Sequence, residues 1–235
     1  MIDLSTELTG LVRLHDQLAA RHNGVVIAFM GVSEGCGVST CARAFARLMT
    51  PRLQRGVWLV DLDFYANSQY QALCSPAAQA FYGATGPAWI TPEGEPLFWR
   101  VHPALVHKDG AKAAHRYYLN IHRIGAHALY VSRFRHDLLR QGQQVTLHAS
   151  SAFWRTMRSR AALTIIDAPP LQRGGAGLIT APDADGVVIV AHPAQAGAPV
   201  QQLRRRIEGR GGRVLGVLYN EAPALAQRGA ATAQS

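Results

Sequence analysis

Gly31-Val32-Ser33-Glu34-Gly35-Cys36-Gly37-Val38-Ser39-Thr40 follows the apolar run Val25 to Met30 and leads into Ser39 to Leu53, an amphipathic stretch of helical length. A strand, a glycine-rich turn and a helix opening on Ser/Thr form the setting in which backbone N–H groups wrap around phosphate oxygens. The glycines admit the tight turn, the helix N-terminus adds partial positive charge, and Ser39 places a hydroxyl within reach of a magnesium ion. One part is missing. The slot after Gly37, where the pattern G-x-x-x-x-G-K-[ST] carries its lysine, holds Val38, which cannot donate to a phosphate. Glu34 puts a carboxylate inside the loop, and like charges close to a polyanion cost free energy. Arg43 and Arg47 lie one and two turns further along the helix and are expected to point away from the loop.

Working outward, short apolar runs rich in β-branched residues recur at Val57 to Asp61, Leu119 to Ile124, Leu163 to Asp167, Gly186 to Ala191 and Val214 to Tyr219. They read as buried strands of a parallel sheet. Helical stretches alternate with them at Ser151 to Arg160 and Pro199 to Glu208, with a leading helix around Leu4 to Arg21. Alternation of this kind predicts an α/β fold, a doubly wound, mostly parallel sheet with helices on both faces. The stretch 83–118 breaks the rhythm with Pro87, Pro92, Pro96 and Pro103 among Trp89 and Trp99, and reads as an irregular insertion. Residues 1–221 form one domain in this reading, and 222–235 a frayed tail without an apolar face.

Two further strands end in acids. Asp61-Leu62-Asp63 closes one, and Leu163-Thr164-Ile165-Ile166-Asp167-Ala168-Pro169-Pro170 carries a carboxylate at the same end of another. In an open parallel sheet that edge is where ligands bind. Asp167 is placed to hold magnesium through water, with Ser39 as its hydroxyl companion, while Asp61 or Asp63 would position the attacking water or hydroxyl as the catalytic group. The plainer reading of each acid alone is a helix cap.

Taken together, the succession Gly35-x-Gly37-x-Ser39-Thr40, Val60-Asp61-Leu62-Asp63 with Asn67-Ser68-Gln69, Ile165 to Pro170, Asp183 to Val190 and Leu215-Gly216-Val217-Leu218-Tyr219-Asn220 resembles the Min/Par superfamily of deviant Walker P-loop ATPases. The Asp-x-Pro-Pro ending and the helix beginning Ser150-Ser151-Ala152-Phe153-Trp154 are most similar to its bacterial tyrosine-kinase branch, which works with polysaccharide chain-length regulators and exporters. The resemblance implies a P-loop NTPase-like fold, binding of ATP or ADP with magnesium, and dimerisation across the nucleotide. It also implies a site lined by Gly35, Gly37, Val38, Ser39 and Thr40, with Asn220 near the base.

Departures from that family are specific. Val38 fills the lysine slot, Ser33 fills the upstream position of the second, dimer-spanning lysine, and no tyrosine follows Tyr219 to serve as a phosphorylation target. Without its main cation a phosphoryl-transfer site loses several kcal/mol of transition-state stabilisation. Autophosphorylation is therefore not expected. The leading expectation is a catalytically degenerate member that docks, as a regulatory or assembly partner, onto an inner-membrane polysaccharide co-polymerase in exopolysaccharide or capsule synthesis and export. Two alternatives stay open: a slow magnesium-dependent ATPase that borrows an arginine from a distant loop or partner chain, and a Par-like DNA-binding positioning protein.

Composition bounds these readings. The chain has 235 residues, 48% of them hydrophobic and 17% charged, which fits one soluble domain with a full core and excludes disorder. A formal charge of +9 calls for an anionic partner, and because lysine occurs only at Lys108 and Lys112 that charge is carried by arginine. Arg133, Arg135, Arg140, Arg155, Arg158 and Arg160, with Arg204, Arg205, Arg206, Arg210 and Arg213, could form a basic face for DNA or anionic lipid. A solvated helix face is the plainer account. Cys36, Cys41 and Cys74 form no disulfide framework or Cys-x-x-Cys pair, which points to the reducing cytoplasm. Absence of an 18-residue apolar window leaves membrane contact to a peripheral or partner-mediated mode. Seven histidines between His102 and His148 match no zinc spacing and read as surface residues.

Overall fold

The computed structural model describes residues 8–104 and 115–220. In chain order its elements are α1 (Thr9–Ala19), β1 (Val25–Gly31), α2 (Val38–Met49), β2 (Val57–Asp61), α3 (Ser68–Cys74), α4 (Pro76–Tyr82), β3 (Thr85–Ile90), β4 (Trp99–His102), β5 (Leu119–Ile124), β6 (Leu129–Phe134), β7 (Gln144–Leu147), α5 (Ser151–Arg160), β8 (Leu163–Asp167), α6 (Ala176–Thr180), β9 (Gly186–Ala191), α7 (Ala198–Glu208) and β10 (Val214–Tyr219). The first residues of the expected leading helix, Leu4 onward to 7, and the tail 222–235 lie outside the described residues.

Eight strands form one sheet in the order β10-β9-β1-β8-β2-β6-β5-β3. The pairs from β10 through β6 are parallel. Strands β1, β8 and β9 are buried along their whole length, as unbroken Val/Ile runs require when helices cover both faces. One face packs against α1, α2 and α3 through residues such as Leu11, Phe45 and Leu73. The other packs against α5, α6 and α7 through Trp154, Leu178 and Leu203. Helix α2 buries Cys41, Ala42, Phe45, Ala46 and Met49, one apolar stripe. It stops at Met49 in a 3₁₀ turn, Thr50–Arg52, short of the expected Leu53, because Pro51 has no N–H to continue the ladder.

Three departures from the sequence reading fall in one region. Leu119 to Ile124, expected to run parallel, is β5, antiparallel to both β6 and β3. Its burial alternates from Asn120 on, with Ile121 and Arg123 partly exposed between buried neighbours, as a strand near the margin of a sheet allows. Strand β6 escaped the reading because Tyr130, Ser132 and Arg133 interrupt its apolar positions. The stretch 83–118, expected to be irregular, supplies β3 to the sheet margin and β4 to a two-stranded ribbon with β7, in register Trp99↔Leu147. The ribbon belongs to the core: the Phe98 ring centroid lies 4.6 Å from Phe153 and 5.0 Å from Trp154.

Candidate functional site

Strand register decides which acids meet. Parallel pairing of β2 with β8 sets Asp61 directly beside Asp167, and β1 delivers the glycine loop next to them. Gly35 and Gly37 adopt left-handed φ of 76° and 92°, a conformation that favours glycine. A Cβ on Gly37 would also collide with the Asn220 amide. A cavity of about 340 Å³ opens here. Its walls include every loop residue from Ser33 to Thr40, together with Asp61, Asp63, Ser68, Asp167 and Arg173.

Asp61 accepts from the backbone N–H of Asp63 at 2.9 Å, the Ser68 hydroxyl at 3.1 Å and the Gln69 N–H at 2.9 Å. Asp167 accepts from Gln69 Nε2 at 2.6 Å, and the Ser39 hydroxyl hydrogen-bonds it as well. Gln69 also donates to the Ser39 carbonyl at 2.8 Å and accepts from Arg43 Nη1 at 2.9 Å. Arg43 therefore does not point away from the loop, as expected from the helix wheel; it braces the site through Gln69. Arg47 stacks on Tyr82, 5.0 Å from the ring centroid, away from the loop.

Burial pushes the Asp167 carboxyl above its ordinary value, and the neighbouring Asp61 charge adds to the rise. Burial does the same to Asp61, against its three hydrogen bonds. Two buried acids side by side are expensive as a pair of anions. Their oxygens and the Ser39 hydroxyl form an all-oxygen, hard donor set, suited to a magnesium ion that keeps several of its waters. The donor chemistry of these residues suits that ion. Among the described residues, no group of three or more His, Cys, Asp or Glu side chains is placed to hold a metal, so the histidines between 102 and 148 that are described form no such cluster.

The lysine slot is filled inward. Val38 is buried among the residues that α2 packs against the sheet, so its side chain supports the loop from beneath. Ser33, in the upstream slot, accepts from Gln195 Nε2 at 2.7 Å. Asn220 donates through Nδ2 to the Cys36 carbonyl at 3.1 Å and packs on Gly37, which puts it behind the loop. Thr40 stands exposed at the start of α2. Sequence reasoning missed Arg173, which donates Nη1 to Asp63 Oδ2 at 2.8 Å and Nη2 to Glu34 Oε1. Its position six residues after Asp167, just past the Pro169-Pro170 turn, was the available signal.

No family model and no curated protein matches the chain. Solved structures do. The chimerical protein CapA2B2 superposes with a TM-score of 0.52 at 18% identity, over 89% of this chain and 81% of that one. The VpsO kinase domain matches at 0.53 and 13% identity, over 92% and 93% of the two chains. The BceF tyrosine kinase domain matches at 0.52 and 14% identity, over 91% and 74%. The chain has the fold of bacterial tyrosine-kinase domains. On this kinase-domain fold the glycine loop and the Asp61/Asp167 edge occupy the sheet's ligand-binding margin, and the cation that loops of this pattern carry is replaced by a buried valine.

Proposed function

We propose that the chain binds a nucleoside triphosphate with magnesium in this pocket without the turnover of a kinase, and that the bound state regulates its docking. The partner in this reading is a membrane-anchored polysaccharide co-polymerase, and the process is synthesis and export of bacterial surface polysaccharide. The protein would then sit in the cytoplasm, held at the inner membrane through that partner. No helix among the described residues is long and apolar enough to cross a membrane.

One observation carries the reading. Asp61, Asp167, Ser39 and the left-handed glycines are kept in a cavity of about 340 Å³, while Val38 buries its side chain where loops of this pattern carry lysine. Phosphate oxygens would meet the loop N–H groups and the N-terminus of α2. Asp167 and Ser39 would hold magnesium, whose chemistry when bound is to neutralise phosphate charge. Positive charge concentrated on the departing phosphoryl group is what the site lacks, and turnover suffers more than binding from that loss.

Calorimetric titration with ATP and magnesium, run beside an assay of phosphate release, tests this. Binding is expected without sustained release, and Asp167→Ala is expected to abolish the heat. Val38→Lys should tighten binding if the variant melts like the parent chain. Steady hydrolysis that disappears in Asp167→Ala would replace the docking reading with a slow ATPase.

A further inference from the structure

We infer that Arg173 is the phosphate-binding cation of this pocket, held at its rim by Glu34 and Asp63 until the terminal phosphate of a bound nucleotide takes the place of those carboxylates. The inference rests on the reading that the pocket takes a nucleotide. Arg173 lines the cavity, bridging the glycine loop at Glu34 and the end of β2 at Asp63. A guanidinium presents paired N–H donors in a rigid fork, and the fork that grips carboxylate oxygens grips phosphate oxygens in the same geometry. Glu34 Oε1 and Asp63 Oδ2 thus stand where phosphate oxygens would.

The present pairing is easily exchanged. The Arg173 and Glu34 side chains are 51% and 59% exposed, and ion pairs in water are held weakly. The turn Leu171–Arg173 is followed by Gly174 and Gly175, around which an added Cβ would meet nothing within 4 Å. That connector has room to shift toward a ligand. Glu34, whose negative charge makes no sense in a phosphate loop by itself, becomes the counter-ion that keeps the arginine at the mouth. It also competes with the ligand, so the free pocket binds less tightly than its cation would allow.

Calorimetry on the full chain with magnesium and ATP, then ADP, tests the assignment. Arg173→Ala should weaken ATP binding about tenfold or more, the usual effect of losing a charge-assisted contact, and should erase a preference for ATP over ADP. Arg173→Lys should recover part of the affinity, and Glu34→Gln should tighten it several-fold. Both substituted side chains, Arg173 and Glu34, are exposed, so the variants should melt with the parent. Unchanged or tighter ATP binding in Arg173→Ala would overturn the assignment and leave Arg173 a strap across a working pocket. A parent chain that binds neither nucleotide would instead overturn the nucleotide reading, and this inference with it.

Discussion

The two sides of the sheet are built on different rules. From β10 to β2 the strands are parallel, and the central ones are buried throughout and wrapped by helices on both faces. From β6 to β3 the pairing turns antiparallel, polar residues enter the strands, and one margin is left to β3, where Trp89 is 44% exposed. The first side carries the glycine loop and the paired aspartates. The second holds the aromatic ribbon and most of the histidines. The candidate site sits where the backbone is most constrained, because a parallel strand end with a helix behind it fixes an acid to a fraction of an ångström, whereas the antiparallel side contributes packing and stays attached to the core.

Attachment is the point on which that contrast can break. If the stretch 83–118 were a mere appendage, emptying its innermost ring would barely matter. Phe98 is fully buried against Phe64, Trp99, Phe153 and Trp154, so Phe98→Ala is expected to cost about 3–5 kcal/mol. Urea unfolding followed by tryptophan fluorescence reads this directly. A loss below about 1 kcal/mol would separate the ribbon from the core, and Trp89→Ala at the exposed margin supplies the small-effect control.

One buried side chain reinforces the β2–β6 pairing that joins the two sides. Asn67, just after β2, accepts from the Phe134 N–H at 2.7 Å and donates to the Phe134 carbonyl at 2.9 Å, buried and with a left-handed φ of 49°. Asn67→Ala leaves the end of β6 unpaired and adds backbone strain, for an expected loss of about 2–3 kcal/mol. Asn67→Gly should restore at most about 1 kcal/mol of it, since glycine relieves the strain and not the lost bonds. Equal losses in the two variants would show that strain plays no part.

How much of this was legible follows the same division. Val25 to Met30, Leu163 to Asp167 and Gly186 to Ala191 announce themselves because a strand covered on both faces is apolar along most of its length. Asp61 and Asp167 were each visible as strand-terminal acids, but their meeting depends on register, which composition does not contain. Strand β6 stayed hidden because Tyr130, Ser132 and Arg133 interrupt its apolar run, and the ribbon because its half-exposed strands alternate with polar residues while four prolines mask a stretch whose burial is supplied by α5, far along the chain. Gln69 could be quoted and not assigned a role: that it joins Asp167, Ser39 and Arg43 is a product of tertiary packing. Arg173 sat in plain view beside the Pro-Pro turn, with nothing local to say that its fork would turn toward Glu34 and Asp63.

On the parallel side the contrast can be sharpened by pH. Asp61 and Asp167 both have folded-state pKa values raised above the unfolded ones, mainly by burial. The folded chain therefore binds more protons than the unfolded chain in the interval between, and their contribution to stability is present at low pH and lost as pH rises through the raised values. Lowering the pH from 8 to 5 should stabilise the apo protein by about 1–2 kcal/mol, and Asp167→Asn should flatten the profile while raising stability at pH 8. Magnesium should raise the melting temperature more at pH 8 than at pH 5, since the ion and the protons compete for the same oxygens. A melting temperature indifferent to pH across this range would mean that the two carboxylates are already neutralised by their neighbours.

The smallest effect is expected on α7, where the charge of the chain is most conspicuous. Arg204 pairs with Glu208 one turn on at 3.5 Å, with both side chains about half exposed, and Arg205 and Arg206 lie in the last turn, where a cation meets the negative end of the helix. Each interaction is of a kind worth a few tenths of a kcal/mol in water. Replacing all three by alanine should cost less than about 1 kcal/mol, because burial of Val200, Leu203 and Ile207 holds the helix down regardless. The same variant should leave ATP affinity unchanged, as these residues do not line the pocket. Duplex DNA binding that weakens steeply with salt in the parent chain and vanishes in the triple variant would give this face a role of its own. Without it, the arginines serve as a solvated cover for a helix whose work is on its other side.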